Sequence, residues 1–308
     1  MNRVLLYLLF GLISLPAKSE IMHIGLWRDM HVQAVEWVPE VPYKAIVNDT
    51  LVLDTISASA KQTFSKAGGS VVWKGKGTYD RVRLEPLEDI SSFALICYSP
   101  RSRNRPYPGG IEFSSEEKGL RIVNLAELDE YIAGVVEAES GAGRPLEYYK
   151  VQAILARTYA LKNRSKHLKE GFMLTDQVNC QAYKGKCRYS KAILQAVSET
   201  EGQVVVDDHL DLITALYHSN SGGQTENPEN VWFSEVPYLR SVVDTFSIGT
   251  TSYRWKKTIP YNEWIAFLKE YGYPVHDVHA LKQALNFRQM FREGFFVDKR
   301  YGIPLRDI

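Results

Sequence analysis

The sequence predicts an α+β fold, with a β-rich N-terminal portion followed by helices packed on an antiparallel sheet. Three observations predict it. From Glu20 to about Gly119 the chain is a succession of short β-type runs, "KAIVNDTLVLDTI", "GSVVWKG", "DRVRLEPL" and "SFALICY", separated by Asn-Asp, Gly-Gly and Pro-Gly turn signals. Beyond Asn124 the apolar spacing lengthens to a helical period, in "LAELDEYIAGVVEAE" and then in "PLEYYKVQAILARTYALKNRSKH". With 308 residues, 45% of them hydrophobic, the chain also has enough apolar side chain for one large core or two modest ones.

The elements follow in order. The first residues, "MNRVLLYLLFGLISLPAKSE", place Arg3 before an apolar run from Val4 to Leu15 and small residues at Ala17 and Ser19. That is the layout of a secretory signal peptide over residues 1–19, too short to span a bilayer comfortably, with an uncleaved N-terminal anchor as the rival reading, so the mature protein is expected to be exported, periplasmic or extracellular in the cell wall. A β-rich domain is expected over 20–102. "YPGGIEFSSEEKGLRIVN" reads as two strands around a polar turn. Asn124 followed by Glu127 has the form of a reciprocal N-cap and predicts a helix from about 125 to 139, with Leu128, Ile132, Val135 and Val136 as its apolar face. The next helix starts near Pro145 and is expected to bury Val151, Ile154, Leu155, Thr158 and Leu161. "SKAILQAVSETEG" is a third amphipathic piece ending at Gly202, "QVVVDDHLDLITALYHS" reads as two strands joined near Asp207, and "YNEWIAFLKEYG" and "DVHALKQALNFRQMF" read as short helices.

Charge excludes one class of function. The 37 basic and 36 acidic residues form no like-charge block and no basic stripe, so a nucleic-acid partner is not expected. Of the three cysteines, Cys97 reads as a buried strand residue. Cys180 and Cys187, in "NCQAYKGKC", suit a short disulfide loop or free thiols better than a metal site, because the C-x-x-C spacing of structural zinc is missing.

Three charged residues fall on faces that the apolar pattern assigns to the interior. Glu139 lies three, four and seven residues after Val136, Val135 and Ile132, where desolvation of a carboxylate would suit a general acid; Glu137 points elsewhere. Lys150 and Arg157 share a stripe of the second helix with Ile154 and Leu161, and either snorkel outward or meet an acidic group, for which Glu139 is available. The loop "YHSNSGGQTENPENVW", Tyr217 to Trp232, puts His218 and Ser221 close together, but has no G-x-S-x-G elbow and no Asp evidently placed to orient the histidine. A serine hydrolase and a zinc site, for which His209, Cys180 and Cys187 are the nearby further ligands, remain alternatives.

The segments "LDEYIAGVVEAES", "PLEYYKVQAILARTYAL" and "YHSNSGGQTEN" with "VWFSEVPYLRSVVD" resemble, in order, the stage II sporulation protein D (SpoIID) family, which includes the LytB amidase enhancers. The resemblance runs from about Arg103 to Asp244 and implies a SpoIID-like catalytic domain over 103–308 behind a variable leader domain. It implies a lytic transglycosylase that cleaves peptidoglycan glycan strands, preferring strands without stem peptides, and leaves 1,6-anhydro-MurNAc ends. Glu139 takes the place of the catalytic acid, and Lys150 and Arg157 belong to the same cleft. Tyr217, His218, Ser219, Ser221, Gly222 and Gly223 then form its substrate-binding rim. No cofactor is required, although some members bind zinc near a cysteine and this histidine, which here points to Cys180, Cys187 and His218. The alternative is a non-catalytic glycan-binding module that enhances a separate cell-wall amidase. The family's usual glycine-rich "G-H-G-V-G" segment does not occur before Ile308, so the resemblance implies an incomplete C-terminal part.

Overall fold

The structure, a computed structural model, describes residues 20–49, 51–99, 104–188, 190–232, 234–250, 252–254 and 256–285. The expected signal peptide and the end of the last expected helix lie outside these residues. The chain divides into two compact units, Met1–Leu216 and Tyr217–Ile308. Among the described residues, no helix is long and apolar enough to cross a membrane.

The first unit is built on β1 (Ile21–Leu26), β2 (Ala34–Pro39), β3 (Tyr43–Val47), β4 (Leu51–Ile56), β5 (Gln62–Ala67), β6 (Ser70–Trp73), β7 (Gly77–Tyr79), β8 (Arg81–Pro86), β9 (Ser92–Ser99), β10 (Arg105–Pro108), β11 (Gly110–Ser115), β12 (Leu120–Glu127) and the short β13 (Leu174–Thr175). They form a seven-stranded sheet in the order β13-β1-β12-β11-β8-β3-β4 and a six-stranded sheet in the order β10-β9-β2-β5-β6-β7. Every pairing is antiparallel except β1 with β13. Alternate residues point inward, Val35 and Trp37 on β2, Tyr43, Ala45 and Val47 on β3, Val82 and Leu84 on β8, as a period of two requires. The inward faces of the two sheets meet through aromatic rings: Phe64 stacks on Phe113 with centroids 4.3 Å apart, and Trp37 meets Tyr43 edge-on at 5.0 Å. Cys97 is buried on β9, as its strand context predicts. Strands from either side of residue 102 share both sheets, since β10 pairs with β9 and β11 lies between β8 and β12.

Three helices follow, α1 (Leu128–Ser140), α2 (Leu146–Lys162) and α3 (Lys191–Glu199), which contact one another; α1 also touches β1 and β12. Asn124 is not the cap of α1. It stays in β12, fully buried, where its Nδ2 donates to the carbonyls of Pro108 (2.7 Å) and Gly110 (2.9 Å) and its Oδ1 accepts the Tyr183 hydroxyl (2.8 Å). The helix starts at Glu127 with no side-chain cap. In α2 the buried face is rotated from the expected one, to Tyr149, Ala153, Ala156, Arg157, Thr158 and Ala160, while Val151 is 54% exposed. The physical reason is proximity: three alanines let α1 and α3 approach closely, and the bulkier aliphatic side chains are pushed to the rim. Ser190 caps α3, its hydroxyl accepting the Ile193 N–H at 3.4 Å. The expected strand pair after Gly202 reduces to one antiparallel bridge, Val206 with Leu212.

The second unit contains α4 (Glu229–Trp232), α5 (Tyr261–Glu270) and α6 (Val278–Leu285), with a small core of Trp264, Leu268, Tyr273 and Ala284.

Candidate functional site

The C-terminal half of α1 carries the residues of interest because a loop crosses it. At Gly134 a Cβ would sit 2.2 Å from the Gly185 carbonyl oxygen and 2.7 Å from the Tyr183 ring, so only glycine lets the 180–188 segment pass over the helix. Gly185 is equally constrained: its φ is +95°, and a Cβ there would lie 2.1 Å from the Pro106 carbonyl oxygen. Tyr183 locks the crossing from below, fully buried between Tyr131 (4.9 Å between centroids) and Tyr107 (6.0 Å).

Two carboxylates of α1 fasten this loop. Glu139 Oε1 accepts the Ala182 N–H at 2.8 Å, and Glu137 accepts the Arg188 N–H through both oxygens, at 3.0 and 3.1 Å. Glu139 is exposed, against the inward position expected of it, because the apolar stripe of the helix runs out past Val136 and the residues after it, Gly141 and Ala142, provide no cover. Glu137, expected to point elsewhere, lines a cavity of about 320 Å³ with Gly134, Ala138, Gly141, Ala142, Lys184, Gly185 and Arg188.

Lys150 and Arg157 of α2 have partners other than Glu139. Arg157 is 1% exposed; its Nε and Nη2 donate to Asp129 Oδ1 at 3.1 and 2.8 Å, and its remaining N–H groups reach the carbonyls of Thr200 (2.8 Å), Gln203 (3.2 Å) and Val197 (3.4 Å). All five guanidinium donors are thereby matched, so Arg157 braces α1 against the end of α3. Lys150 lies between Glu147 (2.8 Å) and Glu199 (2.7 Å), whose hydrogen bonds raise its pKa.

All three cysteines are free thiols, so of the two states the sequence allows for Cys180 and Cys187, a disulfide or free thiols, the structure has the second. Each is engaged separately: Cys180 Sγ lies 3.5 Å from His167 Nε2, whose Nδ1 lies 2.6 Å from Glu170, while Cys187 Sγ donates to Glu137 Oε1 at 3.3 Å. Cys180 and His167 would supply two donors to a zinc ion, and no group of three such donors that could hold a metal ion occurs among the described residues.

The loop Tyr217–Gly223 belongs to the second unit. Ser221 Oγ donates to Asp244 Oδ2 at 2.7 Å and lies 2.9 Å from Ser247 Oγ, which accepts the Gly223 N–H at 2.8 Å. Hydrogen bonding from Ser221 holds the Asp244 carboxyl below its usual range. The aspartate therefore serves the serine and not a histidine, which removes the orienting contact of a Ser-His-Asp triad. Gly222 and Gly223 have φ of +69° and +101°, as a tight turn there requires; His218 and Ser219 are exposed and Tyr217 is half-buried.

Two further carboxyls escape sequence reasoning. Burial pushes Glu130 on α1 up to about 7, with Glu127 adding and Lys186 opposing. Asp176, which accepts the Trp27 N–H at 3.1 Å, is pushed up to about 6 by burial, against the help of that hydrogen bond and of Arg105. Neither lies on a spacing that marks it; only the tertiary enclosure does.

A glycine crossing that fastens a Cys-Gln-x-Tyr loop to a glutamate-bearing helix beside a two-sheet body defines the class, an α+β protein in which Glu139 is exposed in the last turn of α1. Residues 116–206, which span α1, α2, the loop and α3, match the SpoIID family model, described as stage II sporulation protein, so this part of the chain is similar to that family. It is 32% identical over 146 residues to stage II sporulation protein D of Bacillus subtilis, covering 42% of each chain. It is 37% identical over 114 residues to the amidase enhancer of the same organism, covering 37% of this chain and 15% of that one. A protein of Brachyspira hyodysenteriae is 30% identical over 180 residues, 58% of this chain and 47% of its own. The chain thus spans less than half the length of these relatives.

Proposed function

We propose that the protein acts on the cell wall as an exported lytic transglycosylase that cleaves peptidoglycan glycan strands. One observation carries this reading: Glu139, inside the segment that matches the family, is an exposed carboxylate whose Oε1 is fixed by the Ala182 N–H. Hydrolytic glycosidases commonly use two carboxyl groups, one as acid and one to form a glycosyl-enzyme or activate water. A transglycosylase of this type needs one. Protonated Glu139 gives its proton to the glycosidic oxygen as the bond to the muramyl C1 breaks. The resulting carboxylate then takes the proton of that sugar's own 6-hydroxyl as its oxygen bonds to C1, closing the 1,6-anhydro ring and restoring the acid. Intramolecular attack gives the hydroxyl a large effective concentration. Arg157 acts at a distance, by holding α1 in place, and Lys150 contributes a substrate contact on the first unit in this reading.

Glu139→Gln is the test, since the amide oxygen can still accept the Ala182 N–H. Mature wild-type protein incubated with denuded strands should yield anhydro ends by mass spectrometry, and the variant about 10²–10⁴-fold fewer, the usual contribution of a general acid. The second reading, a glycan-binding module that stimulates a separate amidase, draws on the similarity to the amidase enhancer. It replaces the first if wild type and variant both give no anhydro ends while both bind glycan and accelerate an amidase.

A further inference from the structure

The connection that leaves α1 just after Glu139 has little to hold it. Gly141, Ala142, Gly143, Arg144 and Pro145 are all exposed, Gly141 and Gly143 have φ of +66° and +86°, and a Cβ at either glycine would meet no atom within 4 Å. Glycine at these positions lets the backbone turn and leaves it free to change conformation. Among the described residues, one side chain bonds to this stretch. The Tyr149 hydroxyl donates to the Gly141 carbonyl at 2.8 Å and accepts the Arg144 N–H at 3.0 Å.

That hydroxyl works as a clasp. It joins a C=O and an N–H three residues apart, the pair that a β-turn would join directly, and its ring is fixed because Tyr149 is fully buried in the first turn of α2. Phenylalanine would fill the same space. A buried hydroxyl costs stability unless it is bonded, and both of these bonds go to the connection. Gly141 is also the residue that ends α1, its N–H donating to the Glu137 carbonyl at 3.0 Å. Tyr149 therefore holds the helix end two residues beyond Glu139, while the Ala182 N–H holds the Glu139 carboxylate itself.

We infer that Tyr149 is a positioning residue for the acid: through the Gly141 carbonyl its hydroxyl fixes the last turn of α1, and with it the place of the Glu139 carboxylate. The inference rests on the reading of Glu139 as the acid and deepens it. The two tethers act on different parts of the residue. The Ala182 N–H sets where the carboxylate points, and the Tyr149 clasp sets where the backbone that carries it sits. A misplacement of about 1 Å at a reacting group costs about 10²-fold in rate, so a bond that adds little to folding has a large effect on turnover. Substrate affinity has no such dependence, because Tyr149 is buried and does not meet the glycan.

Tyr149→Phe is the test, since it removes one oxygen and keeps the buried ring. Amide hydrogen exchange by NMR and release of anhydro ends from denuded strands are measured on wild type and on this variant. Tyr148→Phe is the control, its ring being exposed and meeting that of Tyr149 edge-on at 5.9 Å. In Tyr149→Phe the Ala182 amide should exchange about tenfold faster while amides of β12 keep their protection, and kcat should fall about tenfold with KM unchanged. Tyr148→Phe should change none of these. Unchanged exchange at Ala182 overturns the inference, and so does faster exchange spread evenly over the protein, which is a loss of global stability. Faster exchange at Ala182 with kcat unchanged overturns it too, because the reaction would then not use the clasp. The two readings fail separately: a wild type that makes no anhydro ends removes the acid, while exchange at Ala182 still decides whether Tyr149 fixes the tie between loop and helix.

Discussion

The two ends of α1 both use acidic side chains to hold a neighbouring segment, and they do so in opposite ways. At the first turn Asp129 meets Arg157, a buried guanidinium whose other donors finish the carbonyls at the end of α3. At the last turns Glu137 and Glu139 meet backbone N–H groups of a loop, and Glu139 stays in solvent. A side chain whose hydrogen-bonding capacity is used up inside the protein is a brace, whatever its charge. One that is fixed by a single bond and open to solvent is oriented and still available to react. The difference separates Arg157 from Glu139, which the sequence had suggested as partners.

The strongest way to break the comparison is at the brace. Arg157→Met should destabilise the protein by about 3–5 kcal/mol, mainly from buried acceptors left without their donor at about 1–3 kcal/mol each, since Asp129 is itself a third exposed. These acceptors are the carbonyls of Val197, Thr200 and Gln203. Urea unfolding measures the loss. If stability changes by less than about 1 kcal/mol while glycan affinity falls, Arg157 belongs to the substrate and the distinction between the two ends fails.

What the sequence conveyed and what it hid divide along the same line. The β-rich N-terminal portion was legible from its short β-type runs and turn signals, and α3 from its amphipathic spacing, because both signals are local. Asn124 was misread, since a polar residue at the head of an apolar run looks like a cap, while its true partners, Pro108, Gly110 and Tyr183, lie up to 59 positions away. Periodicity put Arg157 inside the fold but could not choose between Asp129 and Glu139. It also carried Glu139 inward, because a helical stripe says nothing about where the covering layer ends. The Cys180 and Cys187 spacing allowed a loop closure that the separate contacts with His167 and Glu137 replace.

A second prediction concerns the root of the loop, where the Asp176 carbonyl accepts the Tyr183 N–H at 3.2 Å. Its carboxyl is raised from 3.8 to about 6, so the folded protein binds this proton more tightly than the unfolded chain. The associated stability is present below about pH 4 and is lost as pH rises through about 6, a change of about 3 kcal/mol. Asp176→Asn keeps an oxygen for the Trp27 N–H and cannot ionise. Its urea midpoint should fall less than that of wild type between pH 4.5 and 7.5, and the variant should be the more stable protein at the higher pH. Parallel pH profiles would mean that the buried carboxylate is compensated and that the loop is not anchored on a proton-sensitive root.

The smallest expected effect is at the glycine crossing, and it tests whether the loop is what orients Glu139. Gly134→Ala puts a methyl group 2.2 Å from the Gly185 carbonyl oxygen, a contact with backbone that no rotamer change can relieve. The loop must lift, at about 1–3 kcal/mol for an overpacked site. Lifting it draws the Ala182 N–H from Glu139, so anhydro product should fall further than the stability loss explains. Gly69→Ala, where no atom lies within 4 Å of the added carbon, is the control that should change neither. Should Gly134→Ala be destabilised yet fully active under conditions where it is folded, the tie between Ala182 and Glu139 is dispensable. The last turn of α1 would then orient its carboxylate unaided.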